Sequence, residues 1–297
     1  MAIVASVPAQ RSVARAILVA MRPRQWTKNL LLFAGIVFAA RLGDAMRWLE
    51  AVAAFVAYCA ASSAAYLVND VRDAAHDRLH PVKRDRPVAS GDVPERNALV
   101  TAAVLAAAAL ALAAPLHGWS LLFLAGFLVL QALYTVSFKH VVLVDVLAIG
   151  ALFVLRAAAG AAAVDVRISP WLLLCTALLA LFLALAKRRG ELVLVGAAET
   201  PGRPVLAGYS LAVVDRLVAA AAASAVIAYS LYTFTARDSK ALMATIPFVL
   251  FGVLRYLLLI RREDLGEEPE NVLFADLPLI ATLALWTAAS AAILAAT

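Results

Sequence analysis

Residues 48–68 read WLEAVAAFVAYCAASSAAYLV and run without a break into residues 69–77, NDVRDAAHD; this junction decides the fold. The first part is apolar over a length that spans a bilayer as a helix. It shows no period-two alternation, so it is not a barrel strand. The second part places Asp70, Asp73 and Asp77 three and four residues apart, beside Asn69. At that spacing the three carboxylates share one helix face. Unpaired acids so close repel one another and are costly near hydrocarbon. A divalent cation removes the conflict, and Mg²⁺ favours carboxylate oxygens together with substrate phosphate oxygens. The stretch therefore points to a membrane-embedded enzyme that binds a diphosphate through Mg²⁺. The competing reading is an acidic cap, or a salt-bridge cluster with Arg72, Arg78, Lys83 and Arg84.

Composition supports the membrane setting. Of 297 residues, 64% are hydrophobic and 15% charged, against about half and a quarter in soluble domains. Only helices and closed barrels span a bilayer, so the expected fold is an all-α polytopic bundle. Apolar segments fall near 28–43, 48–69, 97–115, 118–137, 143–164, 170–187, 207–234, 241–260 and 276–296. That predicts about nine transmembrane helices in one integral membrane domain, 1–297, whose residues 1–27 form a cytoplasmic amino-terminal segment. Cys59 and Cys175 lie in apolar runs and read as small packing residues. No Cys/His spacing suits zinc.

Charge sets the expected orientation. With the amino terminus inside, 20 of the 26 Lys and Arg residues fall on the inner side and five on the outer, a strong positive-inside bias. The reading is a multi-pass protein of the plasma membrane with its amino terminus and site cytoplasmic. The net charge of +6 belongs to this collar and to membrane lipids. No aromatic–basic interleaving suggests nucleic acid.

The polar constellations all lie on that inner side. Lys83-Arg84-Asp85-Arg86-Pro87 follows the acids and faces the phosphates that Mg²⁺ would bridge. Lys187-Arg188-Arg189-x-Glu191 closes the sixth span, as a phosphate cradle or a plain cytoplasmic anchor. Arg22-Pro-Arg-Gln-Trp-x-Lys28-Asn29 opens the first span. Trp26 reads there as an interfacial anchor, Arg22 and Arg24 as headgroup contacts, and Lys28 as an anion ligand. Tyr134, Lys139, Asp145 and Arg156 form a further polar set. Asp145 and Arg156 are about three turns apart, so each needs another partner. Arg261-Arg262-Glu263-Asp264 with Glu267, Glu268, Glu270 and Asp276 reads as a solvated loop that could cover the site.

Asn-Asp-x-x-Asp-x-x-x-Asp on the second of about nine spans resembles the UbiA superfamily of membrane prenyltransferases. That resemblance implies an intramembrane enzyme binding a prenyl diphosphate through Mg²⁺. Typical members carry a second Asp-rich motif on helix six, where this chain reads Ala186-Lys187-Arg188-Arg189-Gly190-Glu191. A basic site for another phosphate takes the place of a second Mg²⁺ site. That change is similar to one branch, the decaprenyl-phosphate phosphoribosyltransferases of actinobacterial arabinan synthesis. The matching stretches are Arg22–Asn29, Asn69-Asp70-Val-Arg-Asp73 running on to Pro87, Ser137-Phe-Lys139-His140, Asp145 with Val154-Leu-Arg156-Ala-x-Ala-Gly160, and Lys187–Leu192.

The branch implies transfer of 5-phosphoribosyl from 5-phosphoribosyl diphosphate to a polyprenyl (decaprenyl) phosphate, releasing diphosphate. In that reaction Asn69, Asp70, Asp73 and Asp77 would hold the metal and act at the diphosphate. Lys28, Lys83, Arg84, Tyr134, Lys139, Lys187, Arg188, Arg189 and Glu191 would serve the phosphates. Mn²⁺ could replace Mg²⁺, and the reading leaves a homo-oligomer open. The alternative within enzymes is conventional prenyl transfer from a prenyl diphosphate to an aromatic acceptor. Outside enzymes it is a transporter, which would place charges along a path through the membrane and show repeated halves.

Overall fold

The computed structural model describes residues 12–38, 43–80, 83–198, 204–235, 238–261, 272 and 275–296. Every regular element among them is helical. Helix α1 (Val13–Ala20) packs Ala16 and Ala20 against Ala64, Leu67, Val88 and Val93. Arg22, in the left-handed region at φ 55°, then turns the chain into a 3-10 helix, Pro23–Phe33, which continues as α2 (Ala34–Phe38). Pro23 suits a first helical position, where its missing N–H costs nothing.

Helix α3 (Ala45–Asp77) starts where the Asp44 carboxylate accepts the N–H groups of Met46 and Arg47. Its 33 residues rise about 50 Å, well beyond a hydrocarbon core of about 30 Å. Its last turns, which carry the acids, therefore emerge at one membrane face. The remaining helices are α4 (Glu95–Ala113), α5 (Ser120–Val136), α6 (Val144–Ala163), α7 (Pro170–Ala198), α8 (Leu211–Thr235), α9 (Ile246–Leu259, preceded by a 3-10 turn) and α10 (Leu277–Ala296).

Seven described helices are long and apolar enough to cross a membrane, which makes this a multi-pass membrane protein. The expected nine is reached only with two segments of other form. Ser120–Val136 is apolar but 17 residues long, and Pro23–Phe38 is mostly 3-10 rather than a plain spanning helix. The departure from α geometry coincides with close packing against α6. A Cβ added to Gly160 would lie 2.1 Å from the Leu32 carbonyl oxygen, and one on Gly35 would lie 2.8 Å from the Ala161 Cα. Small residues let backbones approach in this way inside membranes.

Candidate active site

The end of α3 that carries the acids meets three other chain segments. Asp70 and Asp77 are 2% and 5% exposed. Arg86, from the loop after α3, donates from one Nη1 to Asp77 Oδ2 at 2.7 Å and approaches Asp70 Oδ1 at 3.5 Å. Arg22 pairs with Asp70 from the amino-terminal side and stacks over the Tyr66 ring at 5.0 Å. Asp73, on the same face, is held differently. Lys139 Nζ, 7% exposed and carried by the short 3-10 turn after α5, donates to Asp73 Oδ1 at 2.7 Å. The same ammonium reaches Asn69 Oδ1 at 3.3 Å, and Asn69 Nδ2 donates to Asp73 Oδ2 at 3.0 Å. Three further segments, carrying Arg22, Arg86 and Lys139, thus converge on Asn69, Asp70, Asp73 and Asp77.

The acids do not form a metal cage on their own. Among the described residues, no three of His, Cys, Asp and Glu are grouped to hold an ion. Asp70 and Asp77 turn to arginines, leaving Asn69 and Asp73 with Lys139. That donor set still fits Mg²⁺ bound to a phosphorylated substrate. Such ions take one or two protein carboxylates and complete their shell with phosphate oxygens and water. Asp73, with its side chain 30% exposed, and the Asn69 carbonyl are the oxygens available.

A second polar cluster lies beside the first, joined through the carboxy-terminal end of α5. Arg188 is 1% exposed and Asp145 0%. Arg188 Nε donates to Asp145 Oδ2 at 2.6 Å, Nη1 pairs with Glu191, and Nη2 reaches the Tyr134 hydroxyl at 3.2 Å. The Tyr209 hydroxyl donates to Asp145 Oδ1 at 2.7 Å and accepts the Leu143 N–H at 2.8 Å. Burial, reinforced by the bond to Asp145, pushes the Tyr209 hydroxyl up to about 12. Leu143 itself has φ 65°, a conformation an aliphatic residue adopts only when its surroundings impose it. Every strong donor of Arg188 is committed within the protein, so the cluster ties α5, α6, α7 and the start of α8 together.

The other sequence-predicted residues fall outside these two clusters. Arg189 bridges α7 to α8 and α9, donating to Asp215 Oδ1 at 2.6 Å and to the Ile260 carbonyl at 2.8 Å. Lys28 donates to Gln25 Oε1. Lys83 and Lys187 are half-buried, and Arg84 is 66% exposed, 4.0 Å from Asp85. Of the acidic loop, Arg261 and Asp276 are described, and Asp276 pairs with Arg255 at 2.8 Å. Arg262, Glu263, Asp264, Glu267, Glu268 and Glu270 lie outside the described residues, as do residues 1–11 of the amino-terminal segment.

One expectation for the first segment is corrected. Arg22 meets Asp70 rather than headgroups, because the left-handed turn before Pro23 aims it inward. Trp26 is half-buried, and its indole N–H donates to Ser63 Oγ at 3.1 Å. Asp145 and Arg156 do find separate partners, as their spacing required. Arg156, 3% exposed, donates to Asn29 Oδ1 at 2.8 Å and lies over the Phe127 ring at 4.6 Å. Arg22, Arg86 and Tyr209 are the site residues that sequence reasoning did not single out. Arg22 and Arg86 stood in motifs without being assigned to the site, Arg22 as a headgroup contact and Arg86 as the last cation of the basic run before Pro87, and Tyr209 carried no signal.

The profile of the UbiA prenyltransferase family matches residues 30–278. The chain belongs to the UbiA prenyltransferase family. Among UbiA-family relatives, the decaprenyl-phosphate phosphoribosyltransferase of Mycobacterium tuberculosis (strain ATCC 25618 / H37Rv) is 35% identical over 277 residues, covering 91% of each chain. Its counterpart in Mycolicibacterium smegmatis is 34% identical over 273 residues, 86% of this chain and 85% of that one. Among solved structures, a UbiA homologue from Archaeoglobus fulgidus bound to DMAPP and Mg²⁺ superposes with a TM-score of 0.74. It is 20% identical and covers 95% of this chain and all of its own. At that identity the likeness carries the UbiA fold alone.

Proposed function

We propose that this UbiA-family enzyme transfers 5-phosphoribosyl from 5-phosphoribosyl diphosphate to a polyprenyl phosphate on the cytoplasmic side of the plasma membrane, releasing diphosphate. The observation that carries the reading is the cluster at the end of α3 in which Asn69 and Asp73 share Lys139 while Asp70 and Asp77 share Arg86. Its second support is the absence of a second acidic motif on α7: where the superfamily resemblance leads one to expect acids the chain reads Lys187-Arg188-Arg189-x-Glu191, and Arg188 and Arg189 are there tied to Asp145 and Asp215. The cations that face the acid cluster are instead Arg22, Arg86 and Lys139, which suits a reaction with a diphosphate, a 5-phosphate and a lipid phosphate. The phosphoribosyltransferase names of relatives matched along most of their length point the same way.

In the mechanism, Asn69 and Asp73 would hold Mg²⁺, which supplies charge neutralisation to a departing diphosphate. Asp70 and Asp77 set Arg22 and Arg86 at the rim of the same site, and Lys139 stands between Asn69 and Asp73. For donor to bind, Lys139 exchanges its bond to Asp73 for a phosphate oxygen. Charge then develops at ribose C1. The lipid phosphate oxygen attacks C1 opposite the leaving group, the bond from C1 to the diphosphate oxygen breaks, and configuration inverts. The acceptor is already ionised, so no general base is needed. Arg188 serves as a positioning residue through Tyr134, at the end of the helix that leads to Lys139.

Purified protein given Mg²⁺, 5-phosphoribosyl diphosphate and a polyprenyl monophosphate tests this directly. Lipid-dependent diphosphate release, lost in Asp73→Asn, is the expected result. No release here, with release from a prenyl diphosphate and an aromatic acceptor, would transfer the protein to conventional prenyl transfer.

A further inference from the structure

A groove on the membrane-facing surface runs up to the acid–lysine cluster. It encloses about 260 Å³ between α3, α4 and α5, and Val68, Leu99, Ala103, Gln131, Ala132 and Thr135 are among its walls. Alanines on these helices keep it narrow and apolar. Its inner end is polar. Thr135 is 5% exposed and has no hydrogen-bond partner among the described residues. Thr135 precedes Lys139 by four residues and Val68 directly precedes Asn69, so the groove abuts the candidate site.

Two arginines stand over the inner mouth. Arg72 lies four residues beyond Val68 on α3, and Arg96 lies three residues before Leu99 on α4, which begins at the face where α3 ends. At 1.5 Å per residue both project about 5 Å past the groove. Both are exposed, and neither has an ion-pair partner among the described residues. Their neighbours Arg22, Arg78 and Arg86 are all paired with acids. A narrow apolar channel headed by two unpaired cations complements one chain bearing one dianionic head. A phosphate monoester carries nearly two charges at pH 7, whereas a diacyl lipid brings two chains.

We infer that this groove receives the head-proximal isoprene units of the lipid acceptor, and that Arg72 and Arg96 take its phosphate at the membrane surface before transfer. The inference rests on the reading that the acceptor is a polyprenyl phosphate. Binding and turnover test it separately. A photoactivatable diazirine analogue of a polyprenyl phosphate, bound to wild-type protein in detergent without donor, should label peptides from α4 and α5, and excess polyprenyl phosphate should suppress the labelling. Labelling confined to other helices, or suppressed equally by phosphatidylglycerol, overturns the groove whatever the enzyme's activity.

In turnover, Ala103→Phe and Ala132→Phe fill the groove from exposed positions that tolerate bulk. Each should raise KM for a long polyprenyl phosphate about fivefold, a modest loss of chain contact. KM for geranyl phosphate and for the ribosyl donor should stay unchanged. Ala108→Phe, on another exposed face of α4, should leave all three unchanged. The pair Arg72→Gln and Arg96→Gln should raise KM for both lipids and flatten its salt dependence. An unchanged ratio of long-chain to short-chain KM in the filled variants sinks the proposal. Failure of diphosphate release in wild type, with the labelling intact, would sink only the assigned reaction.

Discussion

Asp145→Asn isolates the buried ion pair from the rest of the site. Asp145 and Arg188 have side chains 0% and 1% exposed and meet at 2.6 Å. The amide keeps the shape and still accepts from the Tyr209 hydroxyl, but it removes the charge that faces Arg188. Breaking one side of a buried pair costs about 3–5 kcal/mol, because the other charge stays buried. Arg188 retains Glu191, whose side chain is 14% exposed, which places the cost near about 3 kcal/mol. The shift is about 2–4 °C per kcal/mol for somewhat shorter chains and smaller for longer ones, so the midpoint should fall by about 5 °C. Thermal unfolding in detergent, followed by tryptophan fluorescence, reads this directly. The double variant Asp145→Leu with Arg188→Met should lose less than the summed single losses, since it leaves neither member of the 145–188 pair charged and takes a partner only from the partly exposed Glu191. A shift below about 2 °C in Asp145→Asn, with a raised donor KM, would refute the reasoning. Arg188 would then be a substrate ligand, as its sequence suggested.

The remaining predictions act on separate parts of the structure. Tyr209→Phe strands the Leu143 N–H and removes a bond to a carboxylate, and should cost about 1.5–3 kcal/mol in the same assay. The raised folded value of Tyr209, about 12 against the ordinary 10, means this contribution is whole below pH about 10 and lost as pH rises through about 12. The gap between wild type and Tyr209→Phe should therefore be constant from pH 7 to 9 and shrink only above pH about 10; a gap that closes near neutrality would contradict the assignment. Gly160→Ala drives a methyl to 2.1 Å from the Leu32 carbonyl oxygen, a backbone clash that should cost about 2 kcal/mol or more and lower detergent-stable yield. Lys139→Met should raise donor KM and weaken Mg²⁺ dependence more than it changes unfolding. Asp73→Asn should cut diphosphate release about a hundredfold or more, and because it takes the carboxylate from the buried Lys139 ammonium it should also lower the melting temperature, though less than Asp145→Asn does.

The spans and the acid motif were legible because both rest on local rules. Hydropathy over about 20 residues finds a membrane helix, and three-and-four spacing puts acids on one face. What local rules missed depended on distant contacts. The 3-10 geometry of Pro23–Phe33 accompanies the approach of Leu32 to Gly160, 128 positions away, and neither residue signals it alone. Arg22 looked like one more interfacial cation until the left-handed turn at its own backbone pointed it to Asp70. In the run Lys187-Arg188-Arg189, composition could not say which cation faces the bundle. The structure gives Arg188 to Asp145 and Arg189 to Asp215, so this basic motif is held by acids on neighbouring helices. The exposure of Arg84 has the same origin: Arg86, not Arg84, is the cation of the run that returns to α3.

The two clusters are joined by a stretch of only twelve residues. Tyr134 touches Arg188, Lys139 touches Asp73, and Asp145 touches Arg188 again. The chain from Tyr134 to Asp145 thus leaves one buried guanidinium, crosses the acid site with Lys139 at its tip, and returns to the same guanidinium. Its return is strained at Leu143, φ 65°, and the Tyr209 hydroxyl holds that N–H. Strain of this kind costs about 1–3 kcal/mol and persists only where surrounding bonds over-determine it. Arg188, Asp145 and Tyr209 supply those bonds, and Lys139 is the residue whose position they fix. Under the proposed reaction, a lysine so placed would lose little freedom on exchanging Asp73 for a phosphate oxygen, and a preorganised cation stabilises developing charge without reorganising during the reaction. On that reading the buried arginine would act on the chemistry from a distance, by fixing the loop that presents the lysine.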